Sequence, residues 1–410
     1  MVKPLKINAQ RLWDSLMLFA EIGATDKGGC NRQALTDLDK QARDLWVSWA
    51  EDAGCSIRID TMGNIFARRE GLKDDLPVVM TGSHIDTQPT GGKFDGVYGV
   101  LASLEVIRSL NDQGVQTNHP IEAVVWTNEE GARFSPAMIG SGVWSGAFSL
   151  DYGHARMDKD GKTIQEELRR IDYEGDTPCK PHPIKGFIEL HIEQGPILEN
   201  EALQIGILTG VQGMNWYDLT IKGQPVHAGP TPMENRFDPF MGLHKIINKM
   251  YEMTAEYEPW SRITFGDITA IPGARNTVPE KLILAVDLRH PDKDILAEMD
   301  KRFRQIAHQE CEAAGLSCQV GVEWQSPAVV FDSGCIEAVR KATQDLGYLS
   351  KEMVSGAGHD AVYVSRVAPT SMIFVPCEKG ISHNEAEYSK PGDIEAGCNV
   401  LMNAIVELTS

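Results

Sequence analysis

Five short segments of this chain place histidines or carboxylates where they could share a cation. They are Gly82-Ser83-His84-Ile85-Asp86, Gly91-Gly92-Lys93-Phe94-Asp95-Gly96, Asn128-Glu129-Glu130-Gly131, His191-Ile192-Glu193-Gln194-Gly195 and Ser382-His383-Asn384. Carboxylates gathered alone repel one another, and histidines beside them protonate. A cation resolves both problems, and imidazole with carboxylate suits zinc, manganese, cobalt or nickel. Three histidines (His84, His191, His383), Asp95 and one of the two glutamates exceed what one catalytic zinc takes, which is about three protein ligands plus water. They suit two metals about 3.5–4 Å apart that share one carboxylate and activate a water. Adjacent Glu129 and Glu130 do not easily face one metal. One can ligate while the other takes a proton from the water and returns it to a leaving nitrogen. Asp86, two residues after His84, is placed to fix the tautomer of that ring without itself being a ligand.

The elements that must hold these residues follow from periodicity. Apolar, β-branched-rich runs over 76–81, 121–127, 187–192 and 370–375 read as buried parallel strands. A histidine or carboxylate pair stands at or past the C-terminal end of each, where open α/β sheets bind their ligands. Helical spacing covers 8–22, 37–53 and 99–110, with Gly54 just past the second helix. After Gly213 the pattern changes to strand 214–223, helix 239–257, strands 262–271 and 281–289, helix 291–314 and strand 317–324. That β-α-β-β-α-β order predicts a small ferredoxin-like α+β domain. It is inserted into the α/β domain, with hinges near 210–213 and 325–328. The expected division is 1–212 with 327–410, and 213–326.

Composition bounds the function. The chain has 410 residues, with 42% hydrophobic and 24% charged, the mix of a globular protein of more than one domain. Its formal charge of −19 argues against nucleic acid and anionic membranes as general partners. Eight scattered cysteines, with no C-x-x-C pair, fit a reducing compartment rather than a disulfide framework. The stretch 1–16 lacks the apolar core of a signal peptide, and no run of about 18 apolar residues exists, so a cytoplasmic protein is expected.

In combination, the five segments, with Gln88-Pro89-Thr90-Gly91-Gly92 and Arg11-Leu12-Trp13-Asp14-Ser15-Leu16, resemble the amidase/hydantoinase/carbamoylase family. That family belongs to the dinuclear-metal aminoacylase and carboxypeptidase superfamily, and the likeness runs over nearly the whole chain. It is closest to the branch of N-carbamoyl-L-amino acid hydrolases and bacterial β-ureidopropionases. The resemblance implies an exopeptidase-like catalytic domain with an inserted lid that also makes a homodimer. It implies two divalent ions per subunit, zinc by default. His84, Asp95 and His191 hold one ion, Asp95 bridges, Glu130 and His383 complete the second position, and Glu129 is the general base. The implied reaction releases amino acid, carbon dioxide and ammonia from an N-carbamoyl amino acid. Allantoate amidohydrolase, dipeptidase or aminoacylase activity are the rivals within the class, and a metal-dependent binding module is the rival outside it.

The small domain adds a polar set. Pro225-Val226-His227-Ala228-Gly229 is a turn presenting His227, and Gly273-Ala274-Arg275-Asn276 presents Asn276. The strand over 282–289 alternates and ends on Arg289, whose fork suits a carboxylate. The resemblance makes Arg289 the clamp for the substrate carboxylate, and His227 and Asn276 the donors to the scissile carbonyl. Ser355-Gly356-Ala357-Gly358-His359-Asp360-Ala361 contains G-x-G-x-x-A, a weak dinucleotide signal. The family uses the Gly358 turn to offer backbone N–H groups to substrate, and Gln194 is a candidate partner for the ureido group.

Overall fold

In the computed structural model, which describes residues 4–410, the chain divides into two units. The larger runs up to Thr209 and resumes at Phe331, and the smaller is Gly210–Val330. These edges fall a few residues outside the boundaries read from the sequence. The first three residues of the 1–16 stretch lie outside the described residues.

The larger unit is built on one mixed sheet. Its strands lie in the order β1 (Ser56–Ile59), β2 (Ile65–Arg69), β4 (Ile121–Trp126), β3 (Val78–His84), β5 (Ile184–Ile192), β13 (Thr370–Val375), β6 (Ile205–Val211). Strand β12 (Ser350–Ser355) pairs with β6, and β11 (Val329–Val330), at the end of the smaller unit, pairs with that unit's own Gly210 and Val211 at the end of β6. Every residue of β3, β4 and β13 is buried, which is why apolar residues dominate β4 and β13 and the first half of β3. Helices Val97–Asp112 and Pro391–Leu408 pack on them. The four strands read from the sequence are the parallel centre, β4-β3-β5-β13. The flanks differ from that reading: β1–β2, β2–β4 and β13–β6 pair antiparallel. At one flank the reversal is local. The Asp60 carboxylate accepts the amides of Met62 and Asn64 at 2.8 and 3.0 Å and closes the β1–β2 hairpin.

The smaller unit contains β7 (Gly213–Lys222), β8 (Arg262–Ile271), β9 (Lys281–His290) and β10 (Ser317–Ser326), in the order β10-β7-β9-β8. All pairings are antiparallel, and helices Pro239–Ala255 and Lys293–Ala313 supply the β-α-β-β-α-β sequence. Its core is one-sided. Leu282, Leu284, Val286 and Leu288 of β9 meet Tyr217, Met250 and Phe303, while Ile283, Asp287 and Arg289 alternate onto the other face. Each fully buried Leu or Phe there contributes about 1.5–3 kcal/mol. Asp238 and Asp292 cap the two helices through amides of the first turn.

All eight cysteines are free thiols. Among the described residues no helix is long and apolar enough to cross a membrane.

Candidate metal centre

The parallel strands deliver the ligand candidates to one end of the sheet. His84 is the last residue of β3, and His191 is the last but one of β5. Glu129 and Glu130 follow β4 after a bend at Asn128, whose φ is 56°. Asp95 stands just before helix Val97–Asp112, across Gly96. Only glycine fits there: its φ is 66°, and a Cβ would lie 2.3 Å from the His84 ring. His383 also has a positive φ, 54°, in the segment after β13.

Two ligand groups result, His84 with Asp95 and His191, and Asp95 with Glu130 and His383, each with its ligand atoms within 4.8 Å of one another. Asp95 belongs to both and divides its oxygens between them. Its Oδ1 lies 3.1 Å from His191 Nε2 and 3.5 Å from His84 Nε2. Its Oδ2 lies 3.5 Å from His383 Nε2, which is 3.3 Å from Glu130 Oε2. The neighbouring glutamates split: Glu129 Oε2 faces His84 Nε2 at 3.4 Å. The structure thus brings together His84, Asp95, Glu129, Glu130, His191 and His383. His84 and His191 are almost fully buried, whereas the His383 side chain is 51% exposed.

The donor set fits cations. His84 Nδ1 meets the Asp86 carbonyl at 3.0 Å, and His191 Nδ1 meets the Ile192 carbonyl at 2.9 Å. A carbonyl only accepts, so both Nδ1 atoms carry hydrogen and both Nε2 atoms turn to Asp95. His191 Nε2 also accepts the Gly96 amide at 3.1 Å, the role of an unprotonated nitrogen. A lone pair facing a carboxylate oxygen in a buried site calls for positive charge between them. The other carboxylates say the same. Burial pushes Glu129 well above the ordinary carboxyl range, with His84 opposing and Asp360, Glu130 and Asp86 adding. Burial and Asp95 push Glu130 up to about 8. Burial disfavours charge on His84, yet Glu129, Asp95 and Asp86 outweigh it and raise that ring well above its usual value.

Asp86 fixes the His84 ring, as read from the sequence, and has a second part besides. Its backbone carbonyl orients His84, and its nearer carboxylate oxygen stands 3.8 Å from the ring. The carboxylate accepts the amides of Glu129 and Glu130 at 3.2 and 3.1 Å and so places that pair. Those amides follow an αL residue and point back at it, which no spacing rule reveals.

Gln194 lies beside the centre. Its Nε2 donates to Asp95 Oδ2 at 2.8 Å, and its buried Oε1 has no partner among the described residues. The Gly358 segment follows β12 and leads into the one-turn helix Ala361–Val364. Ser355 Oγ accepts the Ala357 amide at 3.1 Å and sits 2.9 Å from His359 Nε2. The buried His359 ring stacks edge-on to His191, with centroids 4.7 Å apart. Burial and His191 hold it well below the usual imidazole value, that is, neutral. Asp360 is hydrogen-bonded to Ser141 and has one buried oxygen, Oδ2, without a partner among the described residues. His359 and Asp360 stand in a segment weighed only for its glycines, so their part beside the centre was missed.

In the smaller unit His227 and Asn276 come together. His227 pairs with Thr277 in an antiparallel bridge, and the Ala228 amide donates to the Asn276 carbonyl at 2.9 Å. Both residues are exposed. Arg289 donates from Nε and Nη2 to Asp287, the shortest contact being 2.7 Å.

Known proteins agree with this architecture. Residues 80–407 match the model of peptidase family M20/M25/M40. An N-carbamoyl-L-amino-acid amidohydrolase of Rhizobium meliloti is 45% identical over 98% of this chain and 97% of its own length. One of Geobacillus stearothermophilus is 37% identical over 98% and 99%. A solved amidase of the hydantoinase/carbamoylase family from Burkholderia multivorans superposes with a TM-score of 0.95 at 52% identity, covering 99% of this chain and 98% of that one. With its fold, its ligand groups and these likenesses in agreement, the chain belongs to peptidase family M20/M25/M40, among the amidases of the hydantoinase/carbamoylase type.

Proposed function

We propose that the protein hydrolyses the carbamoyl C–N bond of N-carbamoyl-L-amino acids, or of N-carbamoyl-β-alanine, giving the amino acid, carbon dioxide and ammonia. The observation that carries the reading is Asp95, whose two oxygens face two separate ligand groups with Glu129 alongside. Two relatives, 45% and 37% identical over nearly their full length, are named N-carbamoyl-L-amino-acid amidohydrolases, which supports the first of these substrates.

His84, Asp95 and His191 would hold one divalent ion, and Asp95, Glu130 and His383 a second, zinc by default with manganese, cobalt or nickel as the other candidates. Bound ions supply Lewis acidity, which polarises the carbonyl and acidifies water. Glu129 Oε2 takes the proton of the attacking water and passes it to the leaving nitrogen. His227 and Asn276 donate hydrogen bonds to the oxygen that gains charge. Arg289 presents its fork to the substrate carboxylate, and Gln194 with the Gly358 backbone holds the ureido end. The 213–326 segment serves as the lid over a catalytic domain formed by 1–212 and 327–410. It also joins two copies in a homodimer that works in the cytoplasm.

The test is a substrate panel on protein reconstituted with each ion: N-carbamoyl L-, D- and β-amino acids, allantoate and a dipeptide, with ammonia and amine release measured. An N-carbamoyl-L- or β-amino acid is expected to have the highest kcat/KM. A higher value for allantoate or the dipeptide overturns the substrate assignment.

A further inference from the structure

We infer that Glu387 is a positioning residue for this centre: it ties the loop carrying Asp95 to the segment carrying His383 and so governs retention of the second ion. The inference rests on the dinuclear reading above and concerns a residue outside the ligand set. Glu387 is buried, 4% exposed. Its Oε1 accepts the amides of Phe94 and Asp95 at 2.9 and 3.1 Å, across sequence separations of 293 and 292 residues. Ser382 Oγ lies 2.9 Å from its Oε2 and 2.8 Å from Asp95 Oδ2, so the one hydroxyl proton is shared between the two carboxylates. One carboxylate therefore grips the backbone of the shared ligand. Through one hydroxyl it also reaches that ligand's outer oxygen, the one facing His383.

The packing around Glu387 leaves no slack. A Cβ on Gly92 would lie 2.1 Å from Glu387 Oε1 and 2.4 Å from its Cβ, so the loop backbone rests directly on the carboxyl group. The two ligand groups differ in what else supports them. His84 and His191 are fixed within strands and by backbone carbonyls. His383 is half exposed, in a segment of irregular backbone with a left-handed φ. Loss of Glu387 therefore falls mainly on the Asp95–Glu130–His383 position. Outer contacts of this kind are worth about 10- to 100-fold in ion affinity.

The test is calorimetric titration of Mn²⁺ into chelator-stripped full-length protein. Wild type is expected to take two ions. Glu387→Ala is expected to keep the tighter one and to bind the second about 10- to 100-fold more weakly. Glu387→Gln retains both ions, because its amide oxygen still accepts the two backbone amides. In turnover assays Glu387→Ala lowers kcat more than it raises KM. Two ions bound by Glu387→Ala with wild-type affinities overturn the inference, as does an equal loss in Glu387→Gln. If Glu387→Ala does not fold, Ser382→Ala cuts only the hydroxyl link, and unchanged second-ion affinity in that variant overturns the inference. A wild type that takes fewer than two ions removes the dinuclear reading itself, a result separate from any difference between variants.

Discussion

The metal centre and the polar set of the smaller unit use the same kinds of residue under opposite conditions. At the centre, His84, Asp95 and His191 are buried, and backbone groups or neighbouring side chains fix each orientation. In the smaller unit, His227 and Asn276 are exposed on a bridged pair of turns, and Arg289 leans on Asp287 along its own strand face. A buried polar group must be satisfied by the fold before anything binds, because leaving it unpaired costs about 1–3 kcal/mol. An exposed one is satisfied by water and can wait for its ligand. The first region is thus held in place by the fold itself, whereas His227 and Asn276 in the second are open to solvent.

Substitutions can break this contrast. Glu129→Gln is expected to have the largest effect, a loss of about 10²–10⁴-fold in kcat with ion content unchanged. Steady-state kinetics with metal analysis checks it, and near-normal turnover would remove Glu129 from the proton-transfer role. Arg289→Ala comes next. It is expected to cost about 1.5–3 kcal/mol in carboxylate recognition, roughly 10- to 150-fold in KM, with kcat changed less. An unaltered KM would mean that Arg289 does not meet the substrate. The smallest effect is expected for Asp287→Asn, which leaves the Arg289 fork less occupied. KM should fall about two- to fivefold, the worth of a partly exposed ion pair at about 0.5–1 kcal/mol. A rise in KM of that size would show that Asp287 aims the guanidinium instead of competing for it.

What the sequence revealed follows the same division between local and distant. Runs such as Ile121–Trp126 and Thr370–Val375 were legible because strands covered on both faces are dominated by apolar residues. The alternation of Leu282, Leu284, Val286 and Leu288 likewise announced a sheet with one buried face. His84, Asp95, Glu129, Glu130, His191 and His383 could be named because chemistry restricts which residue types gather at strand ends. The antiparallel flanks were not legible: Ser56–Ile59 and Ile65–Arg69 are short, and their pairing depends on a hairpin closed by Asp60. The hold of Asp86 on Glu129 and Glu130 was hidden because it acts through amides 43 and 44 residues away. Glu387 was hidden for the same reason, since no local pattern marks a carboxylate whose two amide partners lie almost 300 residues upstream.

The spread of ligands along the chain also sets a schedule for synthesis. His84, Asp95, Glu129, Glu130 and His191 all leave the ribosome within the first half of the chain, before the β7–β10 unit has been made. Domains tend to fold as they emerge. Yet β13, which pairs with β5 beside His191, and His383 arrive only near the end. The second ligand group therefore cannot be complete until almost all of the chain has been translated, and Asp95, common to both groups, gains its Glu387 support only then. A product cut short before His383 would lack a member of the second ligand group, however well the earlier segments had folded.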